Sequence, residues 1–302
     1  MRKQLCDALA ARAAKPDMVF LTGDLGFMAL EPLQKALGQR FINAGVAEQN
    51  MVSVAAGLAR QNLEVWAYSI APFCYARPFE QIRNDITFHN LPVKLIGNGG
   101  GYGYGVMGPT HHAIEDYGVL LTLPNMSVYV PVFDEDMDAV IERAGASSRP
   151  AYIRMGRGEP PKGYTVPAYA PWRQLTSGGG AVVIVVGPLA GTYIEAFEHL
   201  PAERRPNLWV VTELPIKHNP LPVELMEQIE KSSGLCVAEE HVRHGGFASE
   251  LMLHLAEKNV AVRRFRHLYA RAHHFEKYGS QNFLRRQSAL DVDSMLAILE
   301  SD

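Results

Sequence analysis

The sequence predicts an α/β protein in which a doubly wound, mostly parallel sheet is followed by a smaller α/β unit. Short runs rich in branched residues alternate with helical patterns, as expected for a parallel sheet covered on both faces. Several apolar runs end in Gly, Asn or Asp, as in Thr22-Gly23-Asp24, Asn43-Ala44-Gly45 and Gly97-Asn98-Gly99. Open α/β sheets bind ligands outside the carboxyl ends of their strands, so the candidate site residues belong on one edge. Finally, Glu159 to Trp172 holds four prolines without helical or strand period and reads as an extended linker. The expected organisation is a first unit over 1–160, a linker over 161–174 and a second unit over 175–302.

In chain order, the first unit's strands are Val19-Phe20-Leu21, Phe41-Ile42, Val65 to Tyr68, Val93 to Ile96, Val128 to Val130 and Tyr152-Ile153. Helical patterns fall near 3–14, 47–60, 78–88 and 134–144. Beyond the linker, strands are expected at Ala181 to Val186, Leu208 to Val211, Leu235 to Ala238 and Val260 to Phe265. Helices are expected near 188–199, 221–232, 246–256 and 289–300. This second unit shows no obvious chemistry.

A length of 302 residues with 47% hydrophobic content is enough for two cores. The net charge of -3, with both signs interspersed, gives no reason to expect nucleic acid or a membrane surface as partner. Cys6, Cys74 and Cys236 are far apart and in no metal-ligand spacing, which suits a reducing compartment. There is no apolar signal core, and the strongest apolar run, Ala181 to Val186, is far short of the roughly twenty residues of a membrane span. A cytoplasmic protein is expected.

Glu48, within Asn43-Ala44-Gly45-Val46-Ala47-Glu48-Gln49-Asn50-Met51, puts a carboxylate in the first helical turn after a buried strand. By itself it could merely complement the helix dipole. Gly99-Gly100-Gly101-Tyr102-Gly103-Tyr104-Gly105 lacks the ending of a nucleotide P-loop and reads as a flexible or irregular loop. Adjacent His111 and His112 suggest metal, but neighbouring side chains rarely converge on one ion and no carboxylate or cysteine set completes a site. Phe73 and Tyr75 could be ordinary core, and Asp24 a strand-end turn former. His241-Val242-Arg243-His244 reads as a polar or subunit-contact segment.

Taken in order, four segments are informative: Gly45 to Asn50 with Ala55 to Ala59, Ala76 to Arg83, Gly108 to Glu115, and Val237 to His241 with Gly245-Gly246. Their order and spacing resemble the C-terminal half of transketolase, closest to the separately encoded C-terminal subunits of split transketolases. The resemblance implies a pyrimidine-binding domain followed by the family's C-terminal domain. It also implies thiamine diphosphate as cofactor, with Glu48 gripping N1′ of the aminopyrimidine and favouring its imino tautomer. Phe73 would stack on the pyrimidine, Tyr75 line the same pocket, and Asp24 lie near the cofactor. His111 would hydrogen-bond the donor ketose, while His112 stands where relatives usually have glutamine. Arg157 would hold a sugar phosphate, with Arg2 a weaker second candidate. Two substrate positions depart from the family. Met107 replaces an aspartate that contacts a donor hydroxyl, and Gly99 replaces a phosphate-reaching histidine.

The Gly-Asp-Gly and Asn motif that binds diphosphate through Mg²⁺ (or Ca²⁺) is not found, and Gly23-Asp24-Leu25 is no substitute. An N-terminal transketolase subunit is therefore expected to hold that end, in a heterotetramer with two copies of each chain. The implied reaction passes a two-carbon ketol unit from a ketose or ketose phosphate to an aldehyde. Three other readings stay open: the beta subunit of a 2-oxo-acid dehydrogenase decarboxylating component, a deoxyxylulose-phosphate-synthase-like acyloin-forming enzyme, and a non-catalytic scaffold.

Overall fold

The computed structural model describes residues 1–300. Alternating apolar runs and amphipathic segments build the first half as α1 (Arg2–Arg12), β1 (Met18–Thr22), α2 (Glu31–Leu37), β2 (Phe41–Asn43), α3 (Glu48–Ala59), β3 (Glu64–Ile70), α4 (Ala71–Tyr75), α5 (Phe79–Gln81), β4 (Lys94–Asn98), α6 (Asp116–Leu120), β5 (Ser127–Tyr129), α7 (Met137–Ala146) and β6 (Ala151–Met155). The second half contains β7 (Trp172–Thr176), β8 (Val182–Val186), α8 (Ile194–Glu198), β9 (Asn207–Val211), β10 (Glu213–Leu214), α9 (Val223–Lys231), β11 (Leu235–Glu239), α10 (Phe247–Glu257), β12 (Phe265–Tyr269), α11 (Gln281–Gln287) and α12 (Val292–Glu300).

A seven-stranded sheet in the order β10-β5-β6-β4-β3-β1-β2 is parallel except at β10, and a five-stranded sheet in the order β12-β11-β8-β9-β7 is parallel except at β7. The α/β, mostly parallel fold expected from the sequence is therefore present. Strand alternation separates the layers of the first sheet. Phe20, Trp66, Tyr68 and Ile153 pack against Leu5, Leu9, Leu33 and Val140, while Leu21, Val65, Ala67 and Leu95 pack with Met51, Val52 and Ala55. The latter cluster continues into Val182, Ile184, Val186 and Val237 of the second sheet, so the two sheets share one apolar core.

Several expected elements need correction. The strand placed at 260–265 lies instead at Phe265–Tyr269, paired in register with β11; Asn259, at φ 57°, turns the chain, and Arg263 and Arg264 before the strand are exposed. The helix expected near 78–88 is one α turn followed by a π-helical segment, Ile82–Thr87. The one near 188–199 starts as a 3-10 segment, Gly187–Thr192, because Pro188 lacks an amide proton, and becomes α-helical only at Ile194. The helix near 289–300 begins at Val292, since Asp291 caps it through the Ser294 amide at 3.1 Å. Trp172 to Gln174 of the expected linker belong to β7, where Arg173 reaches Asp136 at 2.7 Å. The short strand β10 carries no alternating pattern, yet it gives the first sheet an antiparallel edge from the second half of the chain.

Candidate functional site

The chain leaves β1 towards β2 on one side and returns to β3 on the other, so the crevice above β1 and β3 is a topological switch point. The turn from β2 into α3 is tied by Asn43, whose side chain accepts the Gly45 amide at 2.9 Å and donates to Asp24 at 3.0 Å. Asp24 is exposed at this edge. Glu48 is the first residue of α3 and is 3% exposed. Its Oε1 accepts the Ser69 hydroxyl of β3 at 3.4 Å, and its Oε2 accepts Arg77 Nη1 at 2.6 Å.

Arg77 is anchored a second way, with its guanidinium 4.4 Å from the Phe73 ring centroid. His111 meets the same ring edge-on, centroids 5.2 Å apart, and lies 6.3 Å from the ring of Tyr104. Burial lowers the pKa of His111, favouring the neutral imidazole; Nδ1 is 3.0 Å from the Thr110 hydroxyl. Glu48, Phe73 and His111, far apart in sequence, thus come together with Arg77. Tyr75 lies behind them and donates to Glu115 at 3.2 Å, and His273 of the second half meets the other Glu115 oxygen at 2.5 Å.

The remaining expected residues are spread more widely. Met107 is 55% exposed on the turn leading to His111. A side chain at Gly99 would collide with the Tyr104 ring, which is held by Asn98 at 2.7 Å, so the family histidine cannot be accommodated there without moving Tyr104. Arg157 is exposed and lines a cavity of about 560 Å³ with Ser280, Asn282 and Arg286; no hydrogen bond or ion pair joins it to Glu48 or His111. Arg2 is exposed as well. The glycine-rich loop, expected to be flexible, is pinned: Tyr102 is fully buried and hydrogen-bonded through both its amide and its hydroxyl. The second half, whose sequence shows no obvious chemistry, reaches this loop. His241, expected in a polar or subunit-contact segment, is buried, accepts the Gly118 amide at 3.1 Å and stacks on Tyr117.

Residues 1–162 match the transketolase pyrimidine-binding domain family. The chain is 30% identical over 271 residues to one of the subunits of the apulose-4-phosphate transketolase of Phocaeicola vulgatus, covering 87% of this chain and 85% of that protein. The chain belongs to the transketolase family. It is also 33% identical to 1-deoxy-D-xylulose-5-phosphate synthase 2 of Geobacter sulfurreducens, covering 95% of this chain but only 45% of the synthase. A solved structure described as a split gene transketolase, inactive beta4 tetramer, superposes with a TM-score of 0.83 at 28% identity, covering 99% of this chain and 96% of that one.

For this transketolase-family chain the sequence pointed to Glu48, Phe73 and His111; Ser69 and His273 were not named, and Asn43 and Glu115 stood only inside motifs. Arg77 appeared only as part of a motif. Its spacing four residues after Phe73, one helical turn, is the signal that could have drawn attention to it. No three His, Cys, Asp or Glu side chains converge as a metal site among the described residues, and no described helix is long and apolar enough to cross a membrane.

His112 has different neighbours from His111. It is 2% exposed, edge-on to Tyr102 at 5.1 Å and stacked on His273 at 5.9 Å, and neither ring nitrogen makes a hydrogen bond. Burial, then the charges of His273 and His274, push its pKa down from 6.5 to about 4. The unfolded chain therefore binds a proton that the folded chain excludes, and His112 makes stability fall as pH drops from 6.5 towards 4. His273, raised chiefly by its bond to Glu115, contributes in the opposite sense, its stabilisation being lost as pH rises through its folded value. Urea unfolding of wild type and His112→Gln across this range is expected to show a shallower acid loss in the variant. Parallel curves would contradict it.

Proposed function

We propose that this chain is the pyrimidine-side subunit of a two-chain, thiamine-diphosphate-dependent transketolase-like enzyme that moves a two-carbon ketol unit from a ketose, free or phosphorylated, to an aldehyde. The observation that carries the reading is the buried Glu48 carboxylate at the switch-point crevice, with Phe73 and His111 beside it. The residues fit the cofactor. Glu48 has only a long contact to Ser69 and an ion pair to Arg77, whose side chain is 42% exposed and can turn to solvent, leaving the carboxylate available to a ring nitrogen. The guanidinium now covers a face of Phe73, so a ring stacking from that side displaces it. When bound, thiamine diphosphate supplies the nucleophilic carbon for breaking and making carbon–carbon bonds. Glu48 would hold the proton-bearing pyrimidine nitrogen, Phe73 and Tyr75 would line the ring's pocket with Asp24 at its edge, and neutral His111 would donate to the substrate oxygen that gains charge.

The naming of the Phocaeicola relative as one subunit of its enzyme and the 45% share of the synthase that the chain spans support a second chain holding the diphosphate end with Mg²⁺. A heterotetramer is the assembly we propose. The synthase relative keeps an acyloin-forming reaction as a second reading. The match over 85% of a transketolase subunit favours ketol transfer. Met107, exposed beside the His111 turn, points to a substrate lacking the hydroxyl read by an aspartate there, with Arg157 kept for an anionic group.

Calorimetry with thiamine diphosphate and Mg²⁺ is expected to show weak binding to this chain alone and tight binding after its partner is added. Ketol transfer should appear only in the pair. In the same assay, Met107→Asp should improve use of xylulose 5-phosphate by about twofold to tenfold, the worth of one hydrogen bond of about 0.5 to 1.5 kcal/mol at an exposed position. Tight, Mg²⁺-dependent binding by the chain alone would sink the two-chain reading.

A further inference from the structure

The end of β11, in the second sheet, is built into the loops that carry the site. We propose that Glu240 is a positioning residue for the glycine-rich loop and, through it, for His111. This rests on the function proposed above.

Glu240 is 4% exposed, and its Oε1 accepts the Tyr102 amide at 2.7 Å. Its carboxylate also accepts Gln281 at 3.0 and 3.1 Å, and its Oε2 accepts Arg285 through Nε at 3.1 Å and Nη2 at 2.8 Å. Such a carboxylate cannot drift: its charge is paired and both oxygens are held by groups of α11. Gly101 lies against it. A Cβ there would come within 2.7 Å of the Glu240 side chain, and the residue has φ 64°, so only glycine lets the backbone approach this closely.

The link to His111 is a short chain of hydrogen bonds. Gly101 and Ala113 form an antiparallel bridge, with N–O distances of 2.8 and 2.9 Å, which ties the loop to the residue two places after His111. The neighbours of Glu240 hold the same segment: the Val242 amide donates to Ile114 at 2.8 Å, and His241 accepts the Gly118 amide. Arg154 donates to both the Ala113 and the Glu240 carbonyls, at 3.1 and 2.7 Å. Five of the seven residues from Gly99 to Gly105 are glycine, so ordering this loop carries a large conformational entropy cost. Glu240 offsets that cost at the loop's centre. Glu48 and Phe73 sit on other elements and make no contact with Glu240, so loosening the clamp should disturb substrate placement and leave cofactor activation in place.

The test uses the chain reconstituted with its partner, in wild type, Glu240→Gln and Gly101→Ala; the second variant pushes on the clamp from the loop side and keeps the Glu240 charge that faces Arg285. Three quantities are read: hydrogen exchange at the Tyr102 amide, C2 proton exchange on bound thiamine diphosphate, and kcat and KM for xylulose 5-phosphate. Both variants are expected to speed Tyr102 exchange and raise KM by about tenfold or more, the worth of about 1.4 kcal/mol, with C2 exchange within about twofold of wild type. Unchanged KM despite faster Tyr102 exchange would overturn the proposal, as would a parallel collapse of C2 exchange, which marks a merely structural role. A wild-type pair without any C2 exchange would instead overturn the proposed function, a failure distinguishable because Tyr102 protection is read separately.

Discussion

Glu48→Gln is expected to leave folding and subunit assembly intact while slowing C2 proton exchange on bound thiamine diphosphate, and turnover with it, by orders of magnitude. The amide is isosteric: its one oxygen can still accept from Arg77, and its NH2 can donate to the Ser69 hydroxyl, so both groups that contact the carboxylate keep a partner. It cannot stabilise a positive charge on a ring nitrogen as a carboxylate does. The structural consequence is small because Arg77 is 42% exposed and regains water when its ion pair weakens. If Glu48 served only the helix dipole, the loss would be about 0.3 to 1 kcal/mol of stability with no effect on exchange. The two accounts therefore separate in a single pair of measurements, urea midpoint and C2 exchange rate. A variant that exchanges as fast as wild type would remove Glu48 from the chemistry.

Asp116→Ala is expected to be the most destabilising single change near the site, by about 3 to 5 kcal/mol. Asp116 is fully buried, and its Oδ2 accepts Arg154 at 2.8 Å and the Tyr152 hydroxyl at 3.0 Å. Arg154 is itself 3% exposed, between β6 and the second half of the chain. Removing the carboxylate strands a buried guanidinium, whose remaining acceptors are the Ala113 and Glu240 carbonyls. Arg154→Met in the same background takes away the stranded charge and should recover part of the loss. Urea midpoints of wild type, single and double variants decide the matter. A single variant within about 1 kcal/mol of wild type would show that the pair contributes little.

The alternation of branched runs with amphipathic segments was enough to read β1, β3, β4, β6, β8, β9 and β11, because parallel strands buried on both faces are nearly continuous apolar runs. Local chemistry was legible too. Glu48 stands out after a strand-to-helix turn, but its expected role, like those of Phe73 and His111, came from the resemblance to transketolase and not from spacing. Missed elements were those whose pattern is overruled by neighbours. The two-residue β10 exists only because β5 offers an edge, and the π-helical segment at Ile82–Thr87 keeps the apolar face expected of an α-helix while its backbone bonds differ.

What the sequence alone determined is the fold class and the family, since buried parallel strands and contiguous motifs are both written in local runs of residues. The tertiary structure decided how that site is held. His273 reaches Glu115 across 158 residues, Glu240 reaches the Tyr102 amide across 138, and Arg77 rather than a neighbour in α3 pairs with Glu48. Only the spacing of Arg77 from Phe73 leaves a local trace; nothing in the local pattern pairs His273 with Glu115 or Glu240 with Tyr102. A buried polar group must find a complementary one wherever packing brings it, and here the packing of the second sheet against the loops of the first settles which groups those are.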